Sequence, residues 1–200
     1  MNKPALRPIY QDTRERILAT GEALILGRGF SALGLSEILQ AAKVPKGSFY
    51  HYFSSKENFG VALLERYFSA NRERMQHLFA NSEMSTATQL LHYFLEWGML
   101  EKGRSGQPLC LAVKLAAEVS DLSEPMRTAL ALGMDDITQQ IAERIGVAQR
   151  ENSIPAEPDA AEFASLLYGM WVGAALLSKV KQDLQPLTVA RQQTRLLLRL

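Results

Sequence analysis

A chain of 200 residues with 47% apolar and 22% charged side chains holds enough hydrophobic material for a packed core, which excludes a disordered chain. Its one cysteine, Cys110, excludes an intramolecular disulfide and fits a reducing cytoplasm. The net charge of +1 hides a division: residues 1–56 carry eight Lys/Arg against four Asp/Glu, net +4, while the remainder carries 14 against 17, net −3, as expected of a basic end that meets a polyanion and a body that does not.

Helical periodicity dominates the chain. Met1–Tyr10 lacks the apolar stretch of a signal peptide. Asp12 or Thr13 is placed to cap a first helix ending near Arg28, with Ile17, Leu18, Gly21, Leu24 and Ile25 on one face and Gly29 closing it. A short second helix fits Ser36–Lys43, with Ile38, Leu39 and Ala42 inward. Pro45 suits the first turn of a third helix ending near Phe53. Ser54 with Glu57 reads as a capping box for a long fourth helix, about Ser55–Ala80. Further helices are expected at about 86–102, 107–119, 122–150, 158–181 and 186–199, separated by Gly/Pro-containing segments. The longest uncharged run, Phe163–Ser178, is 16 residues, short of the ~20 that a bilayer span needs. It is read as a buried helix, so no membrane partner is expected.

The chemistry concentrates between Gly34 and Glu57. Two short helices joined by a turn and flanked by basic residues form a helix-turn-helix, whose second helix can enter a major groove. Lys46 and Ser48 begin that helix, where side chains reach base edges. Gly47 removes bulk where a backbone can approach a duplex, and Phe49 and Phe53 are spaced to face inward. Tyr50, His51 and Tyr52 carry polar tips suited to phosphates, and Lys56 opens the next helix, a favourable anion position. Taken singly, each residue also fits an aromatic-rich turn in an ordinary helical bundle.

As a set, this segment resembles the signature of the TetR family of transcriptional regulators, in which a Gly-containing recognition helix carries Tyr-x-(His/Tyr)-Phe followed by Ser-Lys-Glu. Arg14, Ile17, Leu18, Gly29, Phe30 and Ile38 match the family's first two helices. Two departures stand out: Gly34 occupies a cap position often held by Thr, and Pro45 a position often held by Ser or Thr. The resemblance implies an all-α fold: a helix-turn-helix DNA-binding domain over residues 1–56 and an effector-sensing and dimerisation domain over residues 57–200. It implies base contacts from Lys46 and Ser48, phosphate contacts from Tyr50, His51, Lys56 and Ser36, and a further backbone contact from Arg14. The implied partners are a near-palindromic double-stranded operator, a second copy of the chain, and a small-molecule or reactive electrophile effector; no cofactor is implied.

In the body, Gly169-x-x-x-Gly173 followed by Ala174, with Leu177 one turn on, offers small residues at helical spacing, suited either to a dimer interface or to close packing within one subunit. Cys110 follows a segment containing Gly103, Gly106 and Pro108, near an expected helix start that would favour a thiolate. Lys114 falls one turn later and Lys179 ends the apolar helix, and either ammonium could promote the thiolate. The strings around Cys110 and Asp121–Arg127 also resemble an electrophile- and oxidant-responsive branch of the family. The alternative is a purely structural cysteine, with a non-covalent ligand held among Phe94, Trp97, Met134, Tyr168, Met170 and Trp171; those residues equally suit a plain core. Catalysis finds little support: His92 and Glu96 lie one turn apart without further metal ligands, and no P-loop, nucleophile elbow or dinucleotide fingerprint is present.

Overall fold

The computed structural model describes residues 9–99 and 111–200. Among them the chain forms helices α1 (Ile9–Arg28), α2 (Leu35–Ala42), α3 (Lys46–Tyr52), α4 (Lys56–Phe79), α5 (Thr86–Met99), α6 (Leu111–Val119), α7 (Glu124–Arg150), α8 (Ala160–Lys181) and α9 (Gln185–Leu197), and no strand. The all-α expectation holds. Cys110, the Gly103–Pro108 segment and the side chain of Trp97 lie outside the described residues.

Two compact units divide the chain. One gathers residues 1–67 with Lys114–Leu130; the other gathers Phe68–Val113 with Ala131–Leu200. Residues of α4, α6 and α7 therefore belong to both units.

The first unit is built around α1, α2 and α3. Ile17, Leu18 and Ile25 of α1 are fully buried, and α2 adds Ile38, Leu39 and Ala42 at the spacing that puts them on one helical face. Phe49, Phe53 and Phe59 form an aromatic cluster with ring centroids 5.1–5.8 Å apart. Gly21 admits this cluster, because a Cβ there would lie 2.4 Å from Phe59 Cζ. Three helix starts differ from expectation. α1 already includes Ile9, so Asp12 and Thr13 lie inside it rather than capping it. α4 is capped by Ser55, not Ser54: Ser55 Oγ accepts from the Asn58 N–H at 3.0 Å. Glu57 is one residue too early for the capping-box role and instead accepts from Ser123 Oγ at 2.6 Å. Pro45 precedes α3 as its cap residue rather than entering its first turn.

In the second unit α8 packs on α9, and α9 on α5. Asp159 caps α8, its carboxylate accepting from the N–H groups of Ala161 and Glu162. The buried face of α8 carries Phe163, Ala164, Leu167, Tyr168, Trp171, Ala174, Ala175 and Ser178. Trp171 stacks on Phe94 at 5.4 Å, and its Nε1–H donates to Thr194 Oγ1 at 2.9 Å. Phe94, Tyr168 and Trp171 are thus core residues. A cleft of about 460 Å³ lies elsewhere in this unit, lined by Arg72, Gln76, Phe79, Asp136, Gln140 and Arg144 among others. By length and composition α8 could cross a membrane, but one face of it is committed to this core.

Candidate nucleic-acid interface

The turn before α3 is shaped by local chemistry. Lys43 ends α2 in the left-handed conformation, and the N–H of Val44 returns to the Leu39 carbonyl at 3.0 Å. Val44 and Leu39 are both buried, which anchors the turn and leaves Lys43, Pro45, Lys46 and Gly47 exposed. Phe49 and Phe53 hold the inner face of α3 against the core. Ser48 is half-buried, Tyr50 is 53% exposed, His51 is exposed and Tyr52 is half-buried. A Cβ added at Gly47 would meet no protein atom within 4 Å. Nothing in the protein's own packing therefore requires glycine at a helical position where it costs ~1 kcal/mol relative to alanine.

The electrostatics of this face are one-sided. Of the carboxylates on α1 and α2 whose side chains are described, Glu15 and Glu22 are both engaged by Arg66, with Arg66 Nε donating to Glu15 at 2.7 Å. Glu37 is paired with Arg28 at 3.3 Å and accepts from the Gly34 N–H at 3.2 Å. Lys43 and Lys46 have no ion-pair partner among the described residues. Arg14 is exposed, with its guanidinium 5.5 Å from the Phe53 ring centroid, and Ser36 is exposed near the start of α2. Lys56 opens α4 with its ammonium 4.7 Å from the Phe30 ring centroid and 3.5 Å from the Ser31 carbonyl oxygen. Burial lowers the Lys56 pKa, opposed by the negative charge of Glu118.

Glu118 escaped sequence reasoning. Its carboxylate accepts from the N–H groups of Phe30 (3.0 Å) and Ser31 (2.5 Å), 88 and 87 residues away in the chain. In the sequence, Lys114 and Glu118 look only like an i,i+4 surface pair, and no local signal points to the turn after α1. Burial alone would raise the Glu118 carboxyl, but the donors at Ser31 and Phe30, with Lys114 adding positive charge, hold it below the ordinary carboxylate range. A group whose folded pKa is depressed stabilises the fold above its unfolded pKa, and loses that contribution as pH falls through the folded value. Glu118→Gln is therefore expected to narrow the difference in thermal stability between about pH 7 and about pH 3. Melting curves of both proteins check this; an unchanged difference would dismiss the contribution.

The remaining predicted residues are dispersed. Lys114 donates to the Leu26 carbonyl at 2.6 Å, so its ammonium serves the last turn of α1; the geometry beside Cys110 lies outside the described residues. Lys179 is half-buried near the end of α8. On α8, Leu166, Gly169, Gly173, Leu177 and Val180 follow each other at three- and four-residue spacing and form a stripe opposite the buried face. Leu166, Leu177 and Val180 are exposed, and a Cβ at either glycine would meet nothing within 4 Å. Ala174 does not belong to that stripe. It is 7% exposed and turned with Trp171 and Ser178 toward the core. Glu96 pairs with Arg74 at 3.4 Å, and among the described residues no three His, Cys, Asp or Glu side chains gather as a metal site.

Residues 17–63 match the family model described as "Bacterial regulatory proteins, tetR family", and residues 87–194 match "Tetracyclin repressor-like, C-terminal domain". The chain is 42% identical over 183 residues to the HTH-type transcriptional repressor NemR of Escherichia coli K12, covering 88% of each chain. It is 30% identical over 188 residues to the transcriptional regulator AcuR of Cereibacter sphaeroides, covering 92% of this chain and 84% of that one. The crystal structure of E. coli NemR in its reduced form superposes with a TM-score of 0.87 at 41% identity, covering 92% of this chain and 95% of that one. With a helix-turn-helix head, a helical body and relatives of this likeness along nearly all of its length, the chain belongs to the tetR family of bacterial transcriptional regulators.

Proposed function

We propose that the protein is a cytoplasmic, homodimeric repressor whose two α3 helices read successive major grooves of a near-palindromic operator, and whose release is triggered by modification of Cys110. The observation that carries the DNA reading is the outer surface of α3: Lys46 has no ion-pair partner among the described residues, and Gly47 faces space that no protein atom fills. Lys46 and Ser48 reach base edges; Arg14, Ser36, Tyr50, His51, Tyr52 and Lys56 meet the phosphates. Lys46→Ala is expected to weaken the preferred operator about 5- to 100-fold and relax selectivity at one or two base positions. Lys56→Ala weakens all sequences alike and reduces the salt slope by about one. Fluorescence anisotropy across a salt series checks both. A Lys46→Ala protein with unaltered sequence preference would refute the groove assignment.

The sensor reading draws on likeness to NemR, a relative whose crystal structure is described as a reduced form. Cys110 supplies the thiol, and Lys179 is the basic residue proposed to favour its thiolate, Lys114 being engaged at Leu26. N-ethylmaleimide is expected to release operator DNA from the wild type and not from Cys110→Ser. Release of the serine variant to the same extent would favour a non-covalent effector instead, for which the cleft of about 460 Å³ beside Arg72 and Arg144 has a suitable size.

A further inference from the structure

A carboxylate next to a phosphate-binding lysine ought to repel DNA, yet Glu118 lies close enough to Lys56 to act on its charge. Both oxygens of Glu118 are occupied: Oε2 by the Phe30 N–H at 3.0 Å and Oε1 by the Ser31 N–H at 2.5 Å. Gly29 just ahead has φ +93°, a backbone conformation that favours glycine, and a Cβ there would stand 2.9 Å from Glu118 Oε2, so a side chain would also displace the carboxylate. One helical turn earlier, Lys114 holds the Leu26 carbonyl. A single face of α6 thus grips the end of α1 and the turn that follows it. The two residues held by Glu118 are also the ones against which Lys56 rests: its ammonium lies over the Phe30 ring and beside the Ser31 carbonyl.

We propose that Glu118 is a positioning residue for DNA binding, which fixes the Phe30–Ser31 turn and thereby the place from which the Lys56 ammonium meets a phosphate. The inference rests on the reading of Lys56 as a phosphate contact. It also reverses the sign that charge alone would give. Neutralising an acid beside the DNA face should tighten binding by simple electrostatics. Glutamine, however, can accept only one of the two turn N–H groups and turns an amide donor toward the other, so positioning is lost with the charge.

The test uses the full-length protein and a duplex selected from random-sequence DNA by the wild type. Glu118→Gln is expected to raise Kd about three- to tenfold, bounded by the loss of the Lys56 contact itself. Glu118→Asp, which keeps the charge but shortens the reach, is expected to weaken binding in the same direction and carries the test if the glutamine variant does not fold. In a Lys56→Ala background the Glu118 substitutions should cost nothing further, whereas a head that is merely destabilised would lose affinity equally in both backgrounds. Unchanged or tighter binding by the Glu118 variants overturns the proposal, as does a loss that persists without Lys56. If Lys46→Ala and Lys56→Ala also bind like wild type, the DNA-facing reading of α3 falls and this inference with it; if those two weaken and the Glu118 variants do not, only this inference falls.

Discussion

Leu177→Arg combined with Val180→Arg is expected to turn the proposed dimer into a monomer and to weaken operator binding by about 10²–10⁴-fold. Val180 is 72% exposed and Leu177 48%, with Leu166 on the same stripe of α8 at 54%. Gly169 and Gly173 lie between them with open space where a side chain would project. An apolar stripe interrupted by two glycines costs free energy in water and leaves room for a second helix to approach closely. Leu196 on α9, 69% exposed, extends the same kind of surface. In the proposed dimer, two guanidinium groups on the stripe would set like charges against each other across the two-fold axis and strand them in an apolar contact. Since an operator with two half-sites gains its affinity from two linked heads, loss of the dimer removes the second head's contribution. Analytical ultracentrifugation together with anisotropy checks the prediction; a dimer that persists with both arginines would remove α8 from the interface.

Trp171→Ala is expected to cost about 3–5 kcal/mol of stability and to lower the melting temperature by roughly 10 °C. Trp171 is 1% exposed, stacks on Phe94 and donates to Thr194 Oγ1, which itself donates to the Ala190 carbonyl at 2.8 Å. Truncation opens a large cavity between α8 and α5 and takes the donor from a fully buried hydroxyl oxygen. Trp171→Phe should recover part of the loss, keeping the stacking but not the hydrogen bond. Thermal denaturation of the three proteins decides. A melting temperature in the alanine variant within about 2 °C of wild type would mean that the site collapses around the gap.

The amino-acid sequence by itself determined the helical class, the faces of α1, α2 and α3, and the placement of Phe49 and Phe53 inward with Lys46 and Tyr50 outward. Those features depend on spacing within one or two turns, where periodicity and steric limits act on neighbours along the chain. The family was legible for the same reason, since its signature is a contiguous run from Gly34 to Glu57. Only the tertiary structure decided what the long-range partners do. It tied Glu118 to a turn 87 residues away, engaged Lys114 at Leu26, drew Glu15 and Glu22 onto Arg66, and separated Ala174 from Leu177, facing the core and solvent respectively. Such pairings follow from which helical faces come together, and a carboxylate or an ammonium carries no mark in its own segment of the backbone group it will meet.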